Sequence, residues 1–257
     1  MKLTTEELSC GALSPETLRL AVQRVRMDGY VIFEGVLAAE RLTLLYHEFV
    51  DVFNDHVRQT PQNRGANRYQ MHLPFRQPFC DDAIVANPLA MAVIEAVLGE
   101  NCVCHYFASD TPLPGSDYQA VHSDIHSLFP DSDLVVPAYG LVLNIPLVDF
   151  REDNGPVEIW PGGTHLMPGG IDIHALAPTM HSERVLMPAG SLLIRDLRMW
   201  HRGTPNRSEA ARPNLAMIYA RNWLRTSYPP IRIPSDTYTG LSEHARWLFR
   251  FEAIGGE

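Results

Sequence analysis

Over the first hundred residues, apolar positions recur every three to four residues; beyond them the period falls towards two. Ser14-Pro-Glu-Thr opens the first clear helix. Ser14 is an N-cap, Pro15 fills the first helical position, and Glu16 sits where its charge suits the positive end of the helix dipole. Thr17 occupies the third position, so no full capping box forms. Leu18, Ala21, Val22 and Val25 share one face, and Gly29 stops the helix. Tyr30-Val-Ile-Phe33 predicts a short strand. A second helix follows over 39–57, with Leu42, Leu45, Tyr46, Phe49, Val52 and Phe53 as its buried stripe. Residues 58–80 change character to Gln, Asn, Arg, Pro and Gly with scattered aromatics, and predict a long loop. A third helix runs over 88–98 and ends at Gly99.

The second half predicts strands. They fall at 102–108, 119–126, 139–148, 157–160, 185–187, 191–195 and 215–223, with a further segment at 200–204 around His201. Pro/Gly/Asn turns separate them at 111–115, 153–155 and 161–165. Residues 168–182 read as a loop or lid, and 241–251 as a helical tail. Helices first, then about eight short strands, predict a mainly β fold with flanking helices: two stacked antiparallel sheets in a jelly roll. No repeat, low-complexity stretch or linker divides the chain, so one domain over 1–257 is expected.

Composition narrows the functions. The chain has 257 residues, 46% of them hydrophobic, enough for one sizeable core. A net charge of −9 argues against nucleic acid or an anionic membrane as partner. No apolar run is long enough to span a bilayer, and the polar, acidic start does not read as a signal peptide, so the cytoplasm is the expected location. Cys10, Cys80, Cys102 and Cys104 form no C-x-x-C pair and read as buried thiols. Lys2 is the sole lysine, which removes an internal Schiff-base lysine and a G-K-[ST] phosphate loop; no G-x-G-x-x-G is present either. An anionic co-substrate would need an arginine.

The candidate chemistry centres on His122-Ser-Asp124. On a strand these two side chains point to one face. The pattern alone is weak, because this composition gives about 0.6 H-x-D pairs by chance. His181-Ser-Glu183, the same pattern with glutamate, lies in a polar stretch and reads as surface. The downstream context separates the two. His201 lies in Met199-Trp-His-Arg-Gly-Thr-Pro-Asn206, and Arg212 follows just ahead of the last strand. Two histidines and a carboxylate on one face of an iron leave three positions open, the facial triad of non-haem Fe(II) oxygenases. A 2-oxoacid chelates at two of them, O2 takes the third, and the far carboxylate needs a cation with parallel donors.

Four segments carry a resemblance: His122-Ser-Asp124; Asp153-Asn-Gly-Pro-Val-Glu-Ile-Trp-Pro-Gly-Gly-Thr-His165; Trp200-His-Arg-Gly-Thr-Pro-Asn206; and Arg212. From about Met27 onward the chain resembles the phytanoyl-CoA dioxygenase family of Fe(II)/2-oxoglutarate oxygenases. The resemblance implies a double-stranded β-helix (jelly-roll, cupin-like) core. It implies His122, Asp124 and His201 as catalytic metal ligands, Arg212 as the 2-oxoglutarate clamp, and Gln119 as a further co-substrate contact. Asn144 stands where members often carry tryptophan and is placed with the co-substrate surroundings. Gly163 adds a residue to the family's P-G-S-H turn. An aspartate at 124 favours oxygenation over halogenation, for which related enzymes carry a small residue there.

Substrate contacts are expected from loop 58–80, where Arg64, Arg68, Tyr69, His72 and Arg76 read as exposed. His126 joins them, on the face of His122 and Asp124 if that strand continues. His165 reads as a turn residue or a group behind the ligands, Trp160 and Trp200 as core, and Asp196 as a turn residue. The expected activity is oxidation, chiefly hydroxylation, of a small polar molecule in natural-product or sugar tailoring. Iron(II), 2-oxoglutarate and O2 are the expected cofactors, and a monomer or homodimer the expected assembly. The rivals are a non-catalytic jelly-roll binding module and a His/Asp/His metal hydrolase, which here lacks an H-E-x-x-H base.

Overall fold

The computed structural model describes residues 1–255. Its helices are α1 (Thr5–Cys10), α2 (Pro15–Asp28), α3 (Ala39–Gln59), α4 (Asp82–Val85), α5 (Pro88–Leu98), α6 (Ile173–Leu176), α7 (Ser235–Gly240) and α8 (Glu243–Leu248). Its strands are β1 (Tyr30–Phe33), β2 (Arg68–His72), β3 (Val103–Pro112), β4 (Gly140–Pro146), β5 (Val157–Ile159), β6 (Glu183–Arg184), β7 (Leu192–Asp196), β8 (His201–Gly203), β9 (Asn214–Ala220), β10 (Arg232–Ile233) and β11 (Ala253–Ile254).

A six-stranded antiparallel sheet runs β1-β7-β4-β9-β3-β2, and a three-stranded sheet runs β6-β5-β8. This is the expected antiparallel jelly-roll core with helices outside it. Strand alternation divides the large sheet into two faces. Leu141, Leu143, Leu192, Ile194, Leu215, Met217 and Tyr219 point outward and share a core with Val25 of α2, Phe49 and Phe53 of α3 and Ile94 of α5. Each such buried side chain contributes roughly 1.5–3 kcal/mol relative to exposure. The inward residues form rows across the strands. Arg195, Val142, Ile218 and Tyr106 make one row; Leu193, Asn144, Ala216 and Ala108 make the next; Asn214 and Asp110 follow. A bulge between Cys104 and Tyr106 inserts His105, and this extra residue brings Tyr106 onto the inward face.

The helix signals hold up locally. Ser14 accepts a hydrogen bond from the Thr17 amide, and Gly29 ends α2 at φ 88°. Four expectations change. Residues 58–80 are not one loop: α3 continues to Gln59 and β2 adds an edge strand to the large sheet. The strand expected at 102–108 extends as β3 to Pro112, because β2 and β9 pair with its far end. Around 185–187 no regular strand forms: Met187 makes an isolated bridge with Phe150 and the Val185 amide donates to the Val157 carbonyl, while the regular pairing falls earlier, at β6. The 119–126 segment is not a strand; its one bridge joins His122 to His201. No described helix is long and apolar enough to cross a membrane.

Candidate active site

The inward rows of the large sheet face Val157, His201 and Gly203 of the small one across a cavity of about 110 Å³. His122 and His201 are fixed opposite each other by reciprocal backbone hydrogen bonds of 3.0 and 2.9 Å. The Asp124 amide donates to the Leu197 carbonyl at 2.8 Å, which turns the next side chain into the same space. One donor atom from each of His122, Asp124 and His201 lies within 4.8 Å of the others. The pleat of a strand is not what brings His122 and Asp124 together; this cross-connection does.

The ring nitrogens divide their work. His122 Nδ1 lies 2.8 Å from the Ala120 carbonyl and His201 Nδ1 3.0 Å from the Met199 carbonyl. A carbonyl only accepts, so each Nδ1 carries the proton and each Nε2 keeps its lone pair. Such backing sets the tautomer of metal-ligating histidines. Arg195 Nη1 also lies 3.1 Å from His201 Nδ1, and this contact is a hydrogen bond only in the other tautomer. That tautomer puts the proton on Nε2, 3.4 Å from Asp124 Oδ1, where a metal ion would replace it. The three groups fit a divalent first-row ion with open positions.

Charge around the triad supports ligation. Burial resists ionisation of Asp124, but His201 and Arg195 outweigh it and hold the carboxyl well below its ordinary range. Arg195 Nη2 donates to Asp124 Oδ2 at 2.6 Å, leaving Oδ1 for the cation. Burial, reinforced by His201, lowers His122 to about 4, so its ring is neutral and able to ligate near pH 7. Arg195 carried no sequence signal as a site residue. Its one clue is a cation at an inward position of an apolar strand, which requires a buried partner.

The opposite end of the cavity is built around Arg212. Its Nε donates to the Gly155 carbonyl at 3.0 Å, and its guanidinium lies 4.2 Å over the Phe150 ring. Gly155 has φ 78°, and a Cβ there would meet the Thr204 carbonyl at 2.9 Å, so the Asn-Gly-Pro turn needs glycine. Asn154 holds that turn through the Asp149 carbonyl and the Arg151 amide. Burial lowers Arg212 to about 9; Asp110 opposes the shift and Arg68 adds to it. Among the described residues its one carboxylate partner, Asp110, is 3.8 Å away and is shared with Arg68 at 3.4 Å. A buried guanidinium this weakly compensated favours an incoming carboxylate.

The remaining expected contacts fall in different places. Gln119 and Asn144 line the cavity; Gln119 Oε1 accepts from the Gly203 amide at 2.8 Å, and Asn144 Nδ2 donates to the Leu215 carbonyl at 3.4 Å. Arg68 is not exposed. It is buried beneath Gly203, where any Cβ would lie 2.5 Å from its Nη1, and it donates to the Thr204 and Asp117 carbonyls. Tyr69 is likewise buried, on the outward face against Phe53, because neighbours on β2 alternate. His72 packs edge-on against Tyr106 at 5.7 Å and stays exposed, outside the cavity lining. His126 lies in a separate cavity with Ser123 and Trp200, since the 119–126 segment does not continue as a strand. Arg64 does line the main cavity, while Arg76 pairs with Glu48 elsewhere.

The secondary readings also separate. His165 is buried beside the end of α2, its Nε2 3.1 Å from the Arg26 carbonyl. Trp160 and Trp200 are core residues packed with Ala177. Asp196 ends β7 and holds Arg198 through two hydrogen bonds. Cys80, Cys102 and Cys104 are buried free thiols; Cys10 is exposed.

Several solved structures share this fold. The fold matches AviO1 from Streptomyces viridochromogenes Tue57 with a TM-score of 0.66 at 20% identity, covering 84% of this chain and 100% of that one. SnoK, a non-heme alpha ketoglutarate dependent carbocyclase from nogalamycin biosynthesis, matches with a TM-score of 0.63 at 18% identity over 81% and 84% of the two chains. EvdMO1 matches with a TM-score of 0.65 at 22% identity over 80% of this chain, which spans 50% of EvdMO1. At these identities the likeness is one of fold. The sequence itself, over residues 25–214, matches the family described as phytanoyl-CoA dioxygenase (PhyH), a span that holds the small sheet, every strand of the large one except β9, and His122, Asp124, His201 and Arg212. The chain belongs to the phytanoyl-CoA dioxygenase family.

Proposed function

We propose that this protein is an Fe(II)/2-oxoglutarate-dependent dioxygenase that hydroxylates a small polar organic molecule. The observation that carries the reading is the pairing of two sites in one cavity: a His-Asp-His set whose two Nδ1 atoms are each backed by a backbone carbonyl, and a buried arginine lacking a close counter-ion. His122, Asp124 and His201 hold the metal. Arg212 binds the far carboxylate of 2-oxoglutarate, with Gln119 and Asn144 lining the path between the two ends. Iron(II), when bound, supplies the redox chemistry that couples O2 to oxidation of 2-oxoglutarate and substrate. In the net reaction one oxygen atom ends in succinate and the other in the new hydroxyl, with CO2 released.

The chain's own part is positioning. Arg195 holds one Asp124 oxygen, so the carboxylate presents the other. Val142, Ile218, Tyr106 and Tyr228 wall the space beside the triad with apolar and aromatic side chains. The name of SnoK, a carbocyclase, supports ring formation as a second outcome on this fold. Natural-product tailoring belongs to the same proposal.

The test is succinate formation from 2-oxoglutarate with Fe(II) under air. Wild type is expected to form succinate in an O2-dependent manner, and His122→Ala to fall to background. Equal succinate from both proteins sinks the reading.

A further inference from the structure

The cavity is lined by a cation with no ion-pair partner among the described residues. Arg64 lines the cavity with Gln70, Tyr106 and Tyr228. Among the described residues it has no hydrogen bond and no ion pair. The other two arginines lining the cavity have roles in the oxygenase reading: Arg195 pairs with Asp124 at 2.6 Å, and Arg212, only loosely paired with Asp110 at 3.8 Å, is the co-substrate clamp.

The loop carrying Arg64 is held on both sides. Asn63 Nδ2 donates to the Gln70 carbonyl and Asn63 Oδ1 accepts from the Gln70 amide, both at 2.8 Å. Gln62 pairs in the same reciprocal way with Asn67, accepting from its amide at 2.9 Å and donating to its side chain at 3.1 Å. Asn67 takes φ 52° and reaches across to the Gly115 carbonyl. These bonds satisfy the flanking amides and leave one long, exposed, charged side chain lining the cavity. A cation on a pre-formed loop loses less freedom on binding than one on a floppy loop.

Charge balance gives the occupant. Arg195, Arg212 and Arg68 face Asp124 and Asp110, an excess of one positive charge before Arg64 is counted. A divalent ion and the two carboxylates of 2-oxoglutarate cancel, so a loaded site keeps that excess and Arg64 enlarges it. Tyr106 and Tyr228 line the same cavity as Arg64 and the triad, with ring centroids 4.8 Å apart. Neither phenol has a hydrogen-bond partner among the described residues. Burial raises both phenols, Asp124 adds to this and Arg64 opposes it, so both rings lie within reach of the two charges.

We infer that the substrate carries an oxyanion, a carboxylate or a phosphate, which Arg64 binds at the cavity mouth while Tyr106 and Tyr228 flank the part presented to the metal. This rests on the oxygenase reading. It makes Arg64 a specificity residue: it selects the charged substrate and sets its depth, and it touches no reacting atom.

The test uses full-length protein loaded anaerobically with Fe(II) and 2-oxoglutarate, so that Arg212 is already occupied. Phenylacetate, phenyl phosphate and the neutral phenylacetamide are titrated as probes, with binding followed by calorimetry. Wild type is expected to bind at least one anionic probe about tenfold more tightly than phenylacetamide, the effect of one charge-assisted hydrogen-bonded contact. Which anion wins separates carboxylate from phosphate substrates. Arg64→Met is expected to bring that probe to parity with phenylacetamide, and Arg64→Lys to restore part of the preference. No preference in wild type, or a preference kept in Arg64→Met, overturns the inference. The visible band of the 2-oxoglutarate chelate is read first. Its presence without anion preference removes the substrate inference alone; its absence removes the oxygenase reading and the inference with it.

Discussion

Both ends of the cavity pair a buried arginine with an aspartate, and the pairs are built differently. At the ligand end Arg195 Nη2 sits 2.6 Å from Asp124. At the far end Arg212 Nη2 sits 3.8 Å from Asp110, which also answers to Arg68. The tight pair immobilises a carboxylate that must meet a cation. The loose pair leaves a guanidinium under-compensated, ready for an anion. On the proposed reading, similar residue types serve opposite binding preferences through about an ångström of separation and one extra arginine.

The largest expected effect breaks the loose end. Arg212→Met removes the cation that an incoming carboxylate needs and leaves Arg68 to satisfy Asp110. The KM for 2-oxoglutarate is expected to rise by roughly a hundredfold, or about 3 kcal/mol, with metal affinity unchanged. A shift in metal affinity instead would merge the two ends into one unit.

A smaller effect sharpens the tight end. Arg195→Leu keeps all three ligands but frees Asp124 to rotate. Groups behind metal ligands are typically worth 10–100-fold in metal affinity, and a loss in that range is expected by metal titration, with the 2-oxoglutarate KM little changed at saturating metal. Unchanged metal affinity would reduce Arg195 to a packing residue.

The smallest effect concerns the wall between the ends. His105 stacks on Tyr228 at 6.0 Å, with Nε2 buried and unpartnered. Burial, helped by Arg225, lowers it to about 4. Between that value and the ordinary histidine range near 6.5 the unfolded chain binds the extra proton, so stability declines as pH falls through this window. Denaturant midpoints at pH 7 and pH 5 are expected to differ less in His105→Phe than in wild type. An equal difference would place the pH dependence elsewhere.

Much of the site was legible because it lies in compact motifs. His122-Ser-Asp124, the Asn-Gly-Pro turn and the His201 segment each stand within a few residues. What the sequence hid depends on contacts between distant strands. Arg195 acquires its partner only across a gap of 71 residues. Arg68-Tyr-Gln-Met-His72 does alternate as an edge strand would, but flanking Asn, Gly and Pro disguised it as loop. Burial of Arg68 then follows from Gly203, whose missing side chain leaves room for the guanidinium. Strand periodicity would put His126 beside His122 and Asp124, but the 119–126 segment does not have that periodicity. The antiparallel core and its outer helices were readable, because their apolar periods survive into the packed faces.

The most direct test of the central claim is anaerobic titration of the purified protein with Fe(II) and 2-oxoglutarate, followed in the visible range. Wild type is expected to develop the weak charge-transfer band of a 2-oxoglutarate chelate, and Asp124→Ala to develop none. No band in wild type at saturating metal and co-substrate would contradict the account.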